Sequence, residues 1–185
     1  MRKFISVLLF ISFVQAGYSQ FVVFGAKAGL NIATVTGNNI PDAKSLPSFH
    51  VGGTANFLIN DNFMVQPEIL FSGKGAKSEQ QGNYKFGYID IPVLLQYKTP
   101  SGFFLEAGPQ VGFLVTSKRE KTNWKTFMRS TDYSWVGGLG YKSPMGFGAG
   151  ARYDFGYFNI FKDGIVRNKA IMISLFYTFG SASEE

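Results

Sequence analysis

The sequence has no cysteine, a single histidine and, at 16%, few charged residues. Without thiols there is no disulfide framework, no thiolate metal site and no lipidated N-terminal cysteine. The lone imidazole, His50, stands among scattered carboxylates with no metal-ligand spacing, so neither a metal nor any other cofactor is expected. Beyond the N-terminal segment no apolar run is long enough to cross a bilayer as a helix. Lipid leaves no backbone group unsatisfied except at great cost, so an integral membrane form of this chain has to be a closed barrel.

What is present begins with a leader. Met1, Arg2 and Lys3 form a charged start, 4–14 an apolar core of about eleven residues, and 15–20 a polar exit with Gly17 and Ser19 at the small-residue positions. This reads as a cleaved secretory signal peptide over 1–19, with a cut after Ala16 as the alternative. It leaves 20–180 as one β-barrel domain and 181–185 as a C-terminal tail. Gly 22 and Phe 20 are both high beside so few charges, a balance that describes close-packed strands whose rings face something other than water.

The strand over 168–179 sets the pattern. Ile171, Ile173, Leu175, Tyr177 and Phe179 fall on one face, and Ala170, Met172, Ser174, Phe176 and Thr178 on the other. Its apolar and aromatic residues Leu175, Tyr177 and Phe179 also resemble the C-terminal signal read by the outer-membrane barrel assembly machinery, although 180–185 follow it. Similar alternation predicts strands over 21–33, 48–59, 63–72, 87–98, 103–116, 133–141 and 146–155. The connections alternate long and short, with long loops at 34–47, 73–86, 117–132 and 159–167. Eight antiparallel up-and-down strands with all long loops at one end make an all-β transmembrane barrel of the bacterial outer membrane.

Sidedness separates this barrel from a water-soluble one. Lys27, Glu68, Asp90, Glu106, Arg152 and Asp154 share the strand face that carries Gly, Asn, Gln and Thr, and the opposite face has no charge. A soluble barrel or a sandwich with one wet face would point those charges into solvent. In the membrane reading they line a narrow lumen, where burial demands that Lys27 and Arg152 pair with Glu68, Asp90, Glu106 or Asp154. Pro67, Pro92 and Pro109 lie inside strands and cannot donate to a ladder, so bulges or locally broken pairing are expected there.

Chemistry is sparse. A nucleophile and an orienting acid for His50 are offered by Ser48 and Asp42 through sequence proximity alone, and the chain is not expected to be an enzyme. The run Gly146 to Gly150 imitates a phosphate loop, yet no helix or Lys-Ser/Thr follows it. Its glycines read as a strand whose lumen side is left empty. Basic residues gather in the long connections: Lys74, Lys77, Lys85, Lys118, Arg119, Lys121, Lys125, Arg129, Lys162 and Arg167. Lys118, Arg119, Lys121, Lys125 and Arg129 are expected to meet lipopolysaccharide phosphates at the outer leaflet, or an acidic surface partner. Nucleic acid is not an expected partner of an exported chain without a continuous basic and aromatic surface.

Four stretches, Gln66-Pro67-Glu68-Ile69-Leu70, Tyr88-Ile89-Asp90-Ile91-Pro92, Gly108-Pro109-Gln110-Val111-Gly112 and Gly150-Ala151-Arg152-Tyr153, resemble the PorT-type outer-membrane β-barrel family of Bacteroidetes. The resemblance covers nearly the whole chain after the leader. It implies that the prolines are a family habit and that partners in a secretion system are to be looked for. The expectation is a small outer-membrane barrel with a structural, anchoring or accessory role. The alternative is a small-solute or lipid-handling barrel, transporter or membrane enzyme.

Overall fold

A computed structural model describes residues 22–37, 44–78, 82–119, 122–123, 129–157 and 166–179. The strands are β1 (Val22–Gly37), β2 (Lys44–Leu58), β3 (Phe63–Ser78), β4 (Gly82–Lys98), β5 (Phe103–Arg119), β6 (Thr122–Asn123), β7 (Thr131–Lys142), β8 (Phe147–Gly156) and β9 (Val166–Thr178). Each long strand pairs antiparallel with its chain neighbour, and β1 pairs with β9, so eight strands close into an up-and-down barrel. The two-residue β6 extends the β5 ribbon beyond the ring. The leader 1–19 and the tail 181–185 lie outside the described residues.

Alternation decides which way each side chain points. Leu30, Leu105 and Leu175 are 66%, 60% and 70% exposed, whereas Glu68, Asp90 and Arg152 are 2%, 0% and 4% exposed. A soluble protein would reverse those values; a lipid-facing wall produces them. At the short-turn end the outward face carries cross-strand ring pairs: Phe63 with Tyr97, Phe103 with Tyr141, and Phe147 with Tyr177, their centroids 5.0, 5.2 and 4.6 Å apart. Amphipathic rings in this position make the girdle that marks a membrane interface.

The short turns have local causes. Asn60 Oδ1 accepts from the backbone N–H groups of Asn62 and Phe63, at 3.0 and 2.8 Å, and folds 59–62. Gly102 (φ 94°) and Gly146 (φ 89°) supply the left-handed residue that the next two turns need.

Several strands run longer than the alternation alone suggests. The segment 73–86, expected as a loop, is mostly ladder: β3 continues to Ser78, β4 starts at Gly82, and pairing runs from Gly73↔Gly87 to Ser78↔Gly82. Glycine there permits close backbone contact, since a Cβ on Gly75 would sit 2.0 Å from the Tyr84 carbonyl oxygen. The wall is therefore taller over β3 to β5, at 16 to 17 residues, than over β7 to β9, at 10 to 13.

The prolines break pairing without moving the register. The β2–β3 ladder skips from Thr54↔Glu68 to Phe57↔Val65 beside Pro67. The β3–β4 ladder skips from Pro67↔Val93 to Leu70↔Asp90 beside Pro92, and β4–β5 from Pro92↔Gln110 to Leu95↔Ala107 beside Pro109. True register shifts occur elsewhere, between Ser45 and His50 and between Gly87 and Tyr88.

Candidate functional site: two ionic layers in the lumen

The interior is filled in layers. Nearest the short turns, the rings of Phe104 and Phe176 stand edge to face at 5.8 Å. Glycines paired directly with them on the neighbouring strands make room for them: a Cβ on Gly140 would lie 2.4 Å from Phe104 Cζ, and one on Gly148 would lie 2.2 Å from Phe176 Cζ. The lumen side of these glycine strands is thus occupied by rings, contrary to the expectation that it is empty. A cavity of about 10 Å³ remains beside them, lined by Lys27, Gln66, Gln96 and Lys142 among others. That is room for about one water.

Above the rings lies the first ionic layer. Arg152 on β8 directs Nη1 to Glu68 Oε2 at 2.7 Å and Nη2 to Glu68 Oε1 at 2.8 Å. The same guanidinium holds Glu106, through Nε to Oε1 and through Nη2 to Oε2 at 2.9 Å. Strands β3 and β8 stand four places apart in the ring of eight, so this clamp spans the lumen. Lys27 Nζ adds a bond to Glu68 Oε1 at 2.6 Å. Gln66 donates to Glu68, and Gln96 donates to Glu106 Oε2 at 3.1 Å. Two cations meet two carboxylates, each buried.

Midway up, His50 is 1% exposed and enclosed in the interior. Its partners are Asn31 and Ser174, not Ser48; Asp42 lies outside the described residues. Asn31 Nδ2 donates to Ser72 Oγ at 3.0 Å and to the Gly73 carbonyl at 2.9 Å, which turns Asn31 Oδ1 toward His50 Nδ1 at 2.6 Å. His50 Nδ1 is then the donor, and Nε2 accepts from Ser174 Oγ at 2.9 Å. Serine, imidazole and amide are ordered as in a nucleophilic triad. All three side chains are buried in the packed interior, so the chain acts as a tie joining β1, β2, β3 and β9. Only the fold brings Ser174, 124 residues away in sequence, to the imidazole.

Over this tie sits an apolar patch of Ala33, Leu70, Ala170 and Met172, and then the second ionic layer. Lys74 Nζ lies 2.8 Å from Asp154 Oδ2, 3.2 Å from Asp90 Oδ2 and 3.7 Å from Asp132 Oδ2. It also stands 5.3 Å from the centre of the Tyr88 ring. Lys74 thus belongs to the lumen and not to an outer loop. Gln110 Nε2 donates to Asp154 Oδ2 and to Ser134 Oγ, both at 3.0 Å, and Asn168 Nδ2 donates to Asp132 Oδ2 at 2.7 Å. One ammonium faces three carboxylates here. Asp132 Oδ1, Asp154 Oδ1 and Asn168 Oδ1 receive no hydrogen bond from the described residues.

The structure therefore places Lys27, Glu68, Asp90, Glu106, Arg152 and Asp154 in the interior, divided between two layers. Lys74, Asp132 and the glutamines complete them. Asp132 was hidden by its position at the edge of an expected loop, and Lys74 by the glycines around it. Of the loop cations, Arg129 is exposed, the side chains of Lys118 and Arg119 are not described, and Lys121 and Lys125 lie outside the described residues.

Comparisons with known proteins agree with this architecture. No curated protein sequence is similar enough to match. Neisserial surface protein A is 16% identical and covers 84% of this chain and 97% of its own, with a TM-score of 0.60. The attachment invasion locus protein Ail of Yersinia pestis, in complex with the heparin analogue sucrose octasulfate, is 15% identical over 86% of this chain and 99% of its own, with a TM-score of 0.55. OprG from Pseudomonas aeruginosa is 14% identical over 87% and 96%, with a TM-score of 0.52. These likenesses concern the fold. A family model described as outer membrane protein beta-barrel domain matches residues 15–162. With the closed ring, the lipid-facing wall and the ionised interior, that match shows that this chain is an outer-membrane protein belonging to the outer membrane protein β-barrel domain family.

Proposed function

We propose that the protein is a sealed barrel with a structural, anchoring or accessory role, and that it is neither an open pore nor an enzyme. The observation that carries this reading is the Arg152 clamp, which ties Glu68 to Glu106 across the interior beneath a second ionic layer. Eight strands give an interior that side chains can fill, and here they do. The Ser174–His50–Asn31 chain has a catalytic order of groups but no room for a substrate at Ser174 Oγ, which favours a structural role. An apolar hollow of about 250 Å³ beside Tyr97, Phe103, Leu105 and Leu139 lies among lipid-facing residues, so it lends no support to a solute-binding interior.

Planar-bilayer recording and liposome swelling with small sugars test the seal. No unitary conductance and no swelling are expected, and steady passage of ions or sugars through the wild-type barrel would overturn the reading. The accessory role is taken to be that of a PorT-type protein, with secretion-system neighbours. Its support is the set of four motif stretches, including the proline-bearing β3, β4 and β5 segments. Cross-linking in cells followed by mass spectrometry should recover secretion components, and recovery of assembly machinery and lipid alone would remove that role.

A further inference from the structure

Near the short turns the outward wall opens along the seam between β4 and β5. The hollow of about 250 Å³ lies there, bounded by Tyr97 and Thr99 on one side, by Phe103 and Leu105 on the other, and by Leu139 on β7. The pairing of the strands explains why the seam gapes. Tyr97 stands directly opposite Phe63 on β3, and Phe103 directly opposite Tyr141 on β7. Each ring meets that partner, with centroids 5.0 and 5.2 Å apart, so the two ring pairs are engaged away from the seam that separates them. Across from Phe103 stands only Thr99, whose short side chain is tied back. Its Oγ1 donates to the Phe103 carbonyl at 3.0 Å and lies 2.9 Å from Ser101 Oγ. The turn below is closed by backbone bonds from the Thr99 N–H to the Phe103 carbonyl at 2.8 Å and from the Gly102 N–H to the Thr99 carbonyl at 2.9 Å. The hollow is therefore preformed, as binding sites usually are.

Position and size select the occupant. Tyr97, Phe103 and Tyr141 belong to the girdle at the membrane interface, and Leu105 and Leu139 are two residues farther along their strands. A strand tilt of about 40° turns those two residues into about 5 Å of depth. The hollow thus runs from the interface toward the hydrocarbon centre, which is the course of an acyl chain. An apolar cavity of about 150 Å³ takes a benzene ring, so this larger one accepts a longer stretch of hydrocarbon. Lipid tails are as apolar as leucine, and packing alone decides between one apolar surface and another. A chain on a flat wall is touched along one side. In the hollow it is touched beneath and on both flanks, and each added carbon–carbon contact counts.

We propose that the hollow is a binding site for one phospholipid of the periplasmic leaflet, its acyl chain lying along Leu105 and Leu139 and its ester end level with Tyr97 and Thr99. The short turns face the periplasm in this orientation, which keeps outer-leaflet glycolipid out of reach. The site rests on that orientation and on the lipid-facing wall, and it is independent of the seal of the lumen.

The test uses the full-length protein refolded into vesicles of phosphatidylethanolamine and phosphatidylglycerol with lipid A as a minor component. Lipid retained after transfer to detergent is counted by native mass spectrometry. Leu139→Trp fills the hollow with a ring that stays on the outward face. Leu175→Trp is the control, because it puts the same ring at the same depth on β9, one row inside the Phe147–Tyr177 pair. Wild type and Leu175→Trp should each keep one phospholipid. Leu139→Trp should hold it about tenfold more weakly, the loss expected of about ten carbon–carbon contacts, with an unchanged heat-modified gel shift. Should Leu139→Trp fail to fold, Leu105→Trp fills the same hollow from β5 and is read in the same way. Four outcomes would overturn the site: equal retention by wild type and the folded filled variant, a loss as large in Leu175→Trp, lipid A retained in place of phospholipid, or a detergent-stable dimer of wild type that the filled variant dissociates, which would give the hollow to a second copy of the chain. Conductance measured on the same vesicles reads the seal separately, so leakage with the phospholipid retained would sink the seal and leave the lipid site standing.

Discussion

The two ionic layers are built from the same kinds of side chain, yet they are satisfied differently. In the layer near the short turns, Arg152 and Lys27 balance Glu68 and Glu106, and Gln66 and Gln96 supply further donors to the carboxylates. In the layer near the long loops, Lys74 is the one cation among the described residues that faces Asp90, Asp132 and Asp154, and several oxygens lack a donor among those residues. Buried ions are costly unless paired and hydrogen-bonded, so the first layer is a lock whose parts depend on one another. The second, counted over the described residues, has three carboxylates to one ammonium. Acceptors of that kind are normally met by water, and this layer lies toward the end where the connections are long.

Removing the centre of the lock should have the largest effect. Arg152→Leu leaves Glu68 and Glu106 buried with Lys27 as their only cation, and should cost about 3–5 kcal/mol in urea unfolding from lipid vesicles. The same variant should also raise bilayer conductance. A cost below about 1 kcal/mol would mean that the lower layer is not a lock. Glu106→Gln keeps the Arg152–Glu68 pair and should cost about 1.5–3 kcal/mol, the range for hydrogen bonds to a charged group. Gly140→Ala drives a methyl into the Phe104 ring beneath that layer. It should cost about 1–2 kcal/mol by overpacking, measured in the same assay. Asp132→Asn should have the smallest effect, under about 1 kcal/mol in either direction, since it removes one of the three carboxylates while Lys74 keeps Asp90 and Asp154. If Asp132→Asn costs as much as Glu106→Gln, the two layers are equivalent and the distinction fails.

The barrel was legible because period-two alternation survives in every long strand. Leu105 against Glu106 and Ile89 against Asp90 are enough to assign the faces. The ends of strands were less legible. Gly73 and Gly75 look like loop residues, but in a narrow barrel glycine also lets backbones approach, and only the three-dimensional ladder tells these uses apart. The filling of the interior was hidden for a similar reason. Phe104, Phe176 and Met172 are apolar residues on the polar face, and alternation gives no sign that they pack opposite Gly140, Gly148 or Leu70. The partnership of His50 with Ser174 depends on closure of β1 against β9, which no local pattern encodes.

Pro67, Pro92 and Pro109 interrupt three successive ladders at staggered positions. Before insertion the same strands are a long, aromatic-rich chain surrounded by water. A segment missing one amide proton cannot extend a continuous fibril-like stack past that point, because the next chain finds a gap where a donor should be. The imperfections that the finished wall absorbs without slipping its register therefore act as gatekeepers while the protein is still unfolded.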